Sequence, residues 1–253
     1  MKKFLLLLSI FAVFACKKDK GNDDVVTIPA SDYELSADGL TLVKWKNENT
    51  AVLNMQADAV LRNVKTIRYS VFSEHKSLGS IILPEGLTGI EAAAFYGTKL
   101  RSIVIPKGVQ VIGANAFAKS SLTSVQFSEG LITIDDGAFS ECKIPIINFP
   151  ESLQAIGRRT FESNKVIVSV SIPKNVLNVA SAAFDSCEKL SAVTFKGQTP
   201  PRISIIFGSE LNYVKQAYEP IVKGRIYVPK GRAEVYKKAE DFKPYVNIIS
   251  EEE

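Results

Sequence analysis

Apolar residues in this chain recur with a beat of about 22 residues, far longer than the period of a helix or a strand. Five consecutive units begin at Leu78, Leu100, Leu122, Ile144 and Ile167, at spacings of 22, 22, 22 and 23. The fourth place of each unit holds Ile81, Ile103, Val125, Ile147 and Val170, and the sixth holds Leu83, Ile105, Phe127, Phe149 and Ile172. The tenth holds Leu87, Val109, Leu131, Leu153 and Val176, and the thirteenth Ile90, Ile112, Ile134, Ile156 and Val179. The eighteenth is Phe95, Phe117, Phe139, Phe161 and Phe184, in a chain where Phe is only 14 of 253 residues. Five such hits in one register would arise by chance roughly once in a hundred thousand draws, so the repeat is real. A sixth unit from Leu190 keeps Val193, Phe195 and Phe207 in the fourth, sixth and eighteenth places, counted without a gap. Upstream, Val64, Ile67 and Phe72 mark a degraded unit.

Each unit predicts its own local structure. Apolar residues alternating at places four and six describe a short strand with one buried face. Proline at place seven (Pro84, Pro106, Pro150, Pro173) has no N–H and ends the strand. Glycine at place nine (Gly86, Gly108, Gly130) permits the turn that follows. Places ten and thirteen then return inward, and the Ala-Phe pair is predicted to close the coil as a short helical turn. One unit cannot bury these side chains alone. Stacked coils bury them together, with each Phe about 4.8 Å from the next in the strand-pairing direction. Phe72, Phe95, Phe117, Phe139, Phe161, Phe184 and Phe207 are the expected structural spine.

The motif LxxIxIPxGVxxIGxxAFxxC resembles the BspA-like (Treponema-type) leucine-rich repeats of bacterial surface proteins, in register over about 150 residues. The flanks fit the same family. Leu40–Trp45 resembles its opening cap strand; Thr199-Pro200-Pro201, Ile226–Gly231 and Val235-Tyr236-Lys237 resemble its closing cap. The resemblance implies a β-rich leucine-rich-repeat solenoid, a right-handed coil with N-terminal cap strands and a C-terminal strand/helix cap. Residues 232–241 are expected to form a helix across the last turn, with Val235, Tyr236 and Ala239 inward.

The N-terminus carries a different signal. Lys2-Lys3 precedes an apolar run from Phe4 to Phe14, too short to span a bilayer but the length of a signal-peptide core. Val13-Phe14-Ala15-Cys16 resembles the lipobox of bacterial lipoproteins, in which the Cys16 sulfur accepts a diacylglycerol and becomes the acylated N-terminus. Two acyl chains anchor a protein stably. The expected organisation is therefore a signal peptide at 1–15, a lipidated Cys16 with tether at 16–30, and an N-terminal cap with degenerate repeat at 31–77. Five repeats follow at 78–189, then a terminal repeat and cap at 190–253. The expected location is the outer membrane, facing the cell surface.

Charge adds little. Without Lys2 and Lys3, 29 basic residues face 27 acidic ones, which gives no footprint for nucleic acid. Catalytic and metal-ligating chemistry lacks its parts. The single histidine, His75, lies in a polar loop and reads as solvated, so no zinc set or Ser-His-Asp arrangement can be assembled. Cys142 and Cys187 both occupy place 21, two units apart, so their Cα atoms should lie about 9–10 Å distant, given the strand spacing. A disulfide needs less than about 7 Å, and two unpaired thiols are expected. Asp135-Asp136 reads as a surface turn, since Gly113 and Gly157 hold the place of Asp135 in neighbouring units. Neither catalytic residues, metal, cofactor nor small-molecule substrate is expected.

What remains is binding. Places three and five should face solvent along the strand ladder. They supply Ser80, Ser102, Val104, Ser124, Gln126, Asn148, Ser169, Ser171 and Thr194, a small, uncharged surface without aromatics. The segment 208–224 interrupts the repeat and is a second candidate, because loops carry specificity on rigid scaffolds. The family resemblance implies a non-catalytic envelope protein that adheres to host or microbial proteins through its solenoid. The alternative is a structural or accessory subunit of an outer-membrane complex, linked to glycan handling.

Overall fold

The computed structural model describes residues 27–207 and 224–253, with the backbone alone at 209–212 and 217–220. Cys16, the signal segment and residues 208, 213–216 and 221–223 of the insertion lie outside the described residues. The repeats form a solenoid in which every coil crosses two strand positions. Places three to five give strands such as Ser80–Ile82, Ser102–Val104, Ser124–Gln126 and Ser169–Ile172. Places twelve and thirteen give two-residue strands such as Gly89–Ile90, Val111–Ile112, Thr133–Ile134, Ala155–Ile156 and Asn178–Val179.

The two ladders differ in continuity. The short strands line up as one nine-stranded sheet from Tyr33–Leu35 to Arg202–Ile203. All neighbours there are parallel except the first pair, where Tyr33–Leu35 runs antiparallel to Thr41–Trp45 and covers the open edge of the first coil. The longer strands are split among separate sheets. Pro145 explains one break. In coil 3 the N–H of Thr123, at place two, donates to the Arg101 carbonyl at 2.9 Å, and in coil 6 Ser191 donates to Val168 at 2.9 Å. Coil 4 has Pro145 at that place and no proton to give. Residues 144–149 form no strand, although Ile147 stays buried.

The closing segment is not the short helical turn expected from Ala-Phe. Every second N–H leaves its own coil: Ala93 donates to Ala114 at 2.8 Å, Phe95 to Ala116 at 2.7 Å and Gly97 to Ala118 at 2.8 Å. The N–H groups between them close local turns, Ala94 to Glu91 at 3.3 Å and Tyr96 to Ala93 at 3.1 Å. A helix would keep all of these bonds inside one coil. The alternation requires left-handed backbone at places 16 and 20, seen at Ala93 (φ 54°), Asn115 (55°), Lys119 (56°), Glu141 (55°), Arg159 (54°), Ser163 (59°), Ala182 (60°) and Ser186 (54°). Such residues cost about 1–2 kcal/mol each, and the inter-coil bonds hold them there. The place-nine glycines divide by cause. Gly130 has a positive φ of 104°, whereas at Gly108 a Cβ would meet the Leu87 carbonyl oxygen at 2.5 Å.

Phenylalanine rings from successive coils stack face to face. Phe72, Phe95, Phe117, Phe139, Phe161 and Phe184 have centroids 5.1, 5.1, 5.2, 5.5 and 5.5 Å apart, with planes within 8°. Trp45 extends the column at 5.5 Å from Phe72. Phe207 leaves it. The short strand of coil 6 pairs Ile203, not Arg202, with Val179, so the Thr199-Pro200-Pro201 approach is one residue longer than the ungapped count assumed. Phe207 thereby falls one place short and packs edge-on to Tyr245 at 6.1 Å.

At the C-terminal end, strand Arg225–Val228 adds to the longer ladder beside Ala192–Phe195, and Ile249–Glu251 adds beside it. The expected helix over 232–241 is shorter. It spans Ala233–Lys238, and a 3-10 helix follows at Glu240–Ile248. Tyr236 is fully buried, but Val235 is 40% exposed, because six residues present only a narrow inner face. Tyr236, Phe242 and Phe195 pack together and seal the last coil.

Two stability changes test this packing. Phe139→Ala should cost about 3–5 kcal/mol in urea denaturation, since both ring neighbours lose a partner. Ala93→Gly should instead stabilise by about 0.5–1 kcal/mol, because glycine adopts the left-handed backbone without strain, while Ala94→Gly should destabilise.

Candidate functional site

The alternation at places three to six sets out the strand face. Ile81, Ile103, Val125 and Val170 are buried, while Ser80, Ser102, Val104, Ser124, Gln126, Asn148, Ser169 and Ser171 are exposed and Thr194 is half-buried. Serine predominates in one row, and Ile82 and Val104 stand exposed in the other. The face continues further than the repeat pattern. Strand Arg225–Val228 is in register with coil 6, so Arg225 sits beside Ala192 and Tyr227 beside Thr194. The face is therefore neither uncharged nor free of aromatics. The signal was present in Arg225-Ile226-Tyr227-Val228-Pro229, which repeats the pattern of places three to seven.

A second surface lies on the closing turns. Side chains at places 15, 16, 19 and 20 line an open groove of about 1220 Å³ that runs across several coils, among them Tyr96, Asn115, Lys119, Arg158, Arg159 and Asp185. Its charges pair from coil to coil. Arg158 donates to Asp136 through its backbone N–H at 2.6 Å and through Nε at 3.1 Å. Lys119 reaches Glu141 at 3.7 Å and sits 5.5 Å from the centroid of the Tyr96 ring. Burial and the neighbouring Asp136 charge raise the Asp135 carboxyl above its usual range. Sequence reasoning missed this groove, because its columns vary in residue type. The available signal was the Arg158-Arg159 doublet where other coils carry Ala92-Ala93 or Ala114-Asn115.

The buried polar residues serve the fold. Thr98, Ser120, Cys142, Asn164 and Cys187 share place 21 and are all buried. Cys142 Sγ donates to the Phe117 carbonyl at 3.3 Å, Asn164 Nδ2 to Phe139 at 2.8 Å, and Cys187 Sγ to Phe161 at 3.2 Å. Neither cysteine forms a disulfide, and burial pushes the Cys142 thiol up to about 11. That is far from a reactive thiolate. His75 is not the solvated loop residue expected. It is 8% exposed, places its ring edge against Phe72 and bonds through Nε2 to the Asn47 carbonyl at 2.9 Å. Among the described residues no group of three or more His, Cys, Asp or Glu is placed to hold a metal ion.

The model of the BspA type leucine rich repeat region matches residues 54–165 and 88–209, in six copies. The chain belongs to this family. Solved structures of similar chains are also leucine-rich-repeat proteins. A Treponema pallidum leucine-rich-repeat protein is 26% identical over 67% of this BspA-type chain and 71% of its own, with a TM-score of 0.45. A leucine-rich cell surface protein of Faecalibacterium prausnitzii is 17% identical over 89% of this chain and 94% of its own, with a TM-score of 0.41. No curated protein matches the chain. No helix among the described residues of this BspA-type protein is long and apolar enough to cross a membrane.

The place-21 thiol makes a pH prediction. The folded state holds the Cys142 proton more tightly than the unfolded chain, whose value is near 9.0. Stability is therefore full below about pH 9 and falls as pH rises towards about 11, by roughly 2–3 kcal/mol for a shift of this size. Tyr236, pushed by burial from 10.0 to about 12, adds a further loss above pH 10. Cys142→Ser, which copies the Ser120 of the preceding coil, should remove the first loss and keep the second in denaturation curves measured from pH 8 to 11.

Proposed function

We propose that this chain is a non-catalytic binding protein of the cell envelope, anchored through lipid on Cys16, that docks a protein partner in the groove of its closing turns. The observation that carries the docking site is the composition of the groove. Tyr96, Arg158 and Arg159 are the side-chain types that dominate protein hot spots, and they project from a backbone tied coil to coil. A rigid scaffold loses little freedom when a partner binds. The anchor reading rests on the lipobox-like segment. Where the tether enters the domain, the Ile28 N–H donates to the buried Asp58 carboxylate at 2.8 Å, which fastens the chain to the degraded unit that precedes the repeats. The eleven residues between Cys16 and Ile28 reach at most about 40 Å. The anchor therefore keeps the first coil near the membrane.

Photo-crosslinking on intact cells tests the docking site. A benzophenone side chain at Asn115 or Ser181 should yield one discrete adduct, whereas the same group at Gln110, outside the groove, should yield none. Equal labelling from all three positions, or none from the groove, would sink the proposal. Partner identity then separates adhesion, with a host or microbial protein in the adduct, from an accessory role with another envelope component. Protease added outside the cells should degrade the protein if it faces the medium, and Cys16→Ser should release it from the membrane fraction.

A further inference from the structure

We infer that the C-terminal half of the strand face is a binding site for an acidic polysaccharide, separate from the groove assigned above to a protein partner. Place five there makes an unbroken row. Ser171 pairs with Thr194, Thr194 with Tyr227, and Tyr227 with Ser250. Strand spacing sets these side chains about 4.8 Å apart. Each carries a hydroxyl that both donates and accepts, which is what the hydroxyls of a sugar chain require. The half-exposed ring of Tyr227 lies in the same row and offers a face on which a sugar ring can stack.

Charge selects an acidic chain. Places two to seven of coils 1–6, together with Arg225–Val228, contain no Asp or Glu, in a sequence where 27 of 253 residues are acidic; the last strand of the row, Ile249–Glu251, ends on Glu251, whose carboxylate accepts from the Ala233 N–H at 3.1 Å. Their only charged residues are Arg101, Lys196 and Arg225, all cationic. At the start of the row, where Pro145 interrupts the ladder, a cavity of about 370 Å³ opens between coils 4 and 5. Ile147, Phe149 and Pro173 give it an apolar floor, and Asn148, Ser171, Lys174 and Lys196 contribute polar walls. Glu151 also lines it, and Glu252 holds Lys196 at 2.5 Å. Lys174 makes no ion pair among the described residues, so its ammonium is the group free to take a carboxylate or sulfate. The Glu151 carboxylate would accept from a sugar hydroxyl. An acidic peptide would meet the same lysines, but beyond the coil 4–5 cavity the row of hydroxyls offers its side chains no further pocket.

The test uses the purified full chain with four polymers: polygalacturonate, dextran sulfate, neutral dextran and polyglutamate. Calorimetric binding to polygalacturonate or dextran sulfate is expected, weakening as salt rises, with none to neutral dextran and at least tenfold less to polyglutamate. Tyr227→Ser and Lys174→Glu should each weaken binding at least tenfold without moving the melting temperature, and Arg158→Ala in the groove should leave it unchanged. Should Tyr227→Ser fail to fold, exposed Lys174→Glu decides. Polyglutamate bound as tightly as the glycans, neutral dextran bound equally, or no binding at all would overturn the inference. Arg158→Ala also separates the two sites, because loss of the protein adduct with glycan binding intact would leave this site standing.

Discussion

Each coil is joined to the next through the phenylalanine of its closing turn. The N–H of Phe95, Phe117, Phe139 and Phe161 donates to the following coil at 2.7–2.8 Å, and each ring stacks on the next one. A side chain at place 21 then satisfies the Phe carbonyl. Backbone, ring and carbonyl are thus fixed by one residue, and the flanking left-handed positions follow from the geometry this bonding imposes. Small shifts anywhere along the column would break several contacts at once.

The opposite side is less constrained. Its ladder is divided, and Pro145 shows how one missing donor opens it without unburying Ile147. The molecule therefore has two kinds of surface. On the turns, exposed ion pairs such as Arg158–Asp136 connect adjacent coils along the groove. On the strand side, small hydroxyl side chains stand over backbone that is only partly paired, and the apolar floor of the coil 4–5 cavity comes close to solvent.

These differences bear on function more than the repeat itself does. The place-four, place-six and place-eighteen residues are spent on the core and leave no freedom for specificity. Residues that face solvent carry whatever distinguishes this protein from others built on the same coil. Arg158, Tyr96 and Tyr227 occupy such positions, whereas the cysteines and His75 are internal and engaged in satisfying or packing against their neighbours.

Much of the architecture was legible in the chain, because a long apolar period permits few ways of burying its side chains. The repeat length, the buried column, the solvent-facing places and the isolation of Cys142 from Cys187 all follow from spacing. Other features depended on which backbone groups meet across coils, and spacing does not encode that. The left-handed turns, the slip of Phe207, the burial of His75 and the early end of the helix after Lys238 were decided by inter-coil hydrogen bonds and end packing. So were the candidate sites: Arg158 and Asp136 are 22 residues apart in sequence and touch only because coils stack, and Tyr227 joins the strand face only through its pairing with Thr194. The sequence by itself determined what must be buried; the tertiary structure decided which exposed groups share a surface, because that depends on the register between coils.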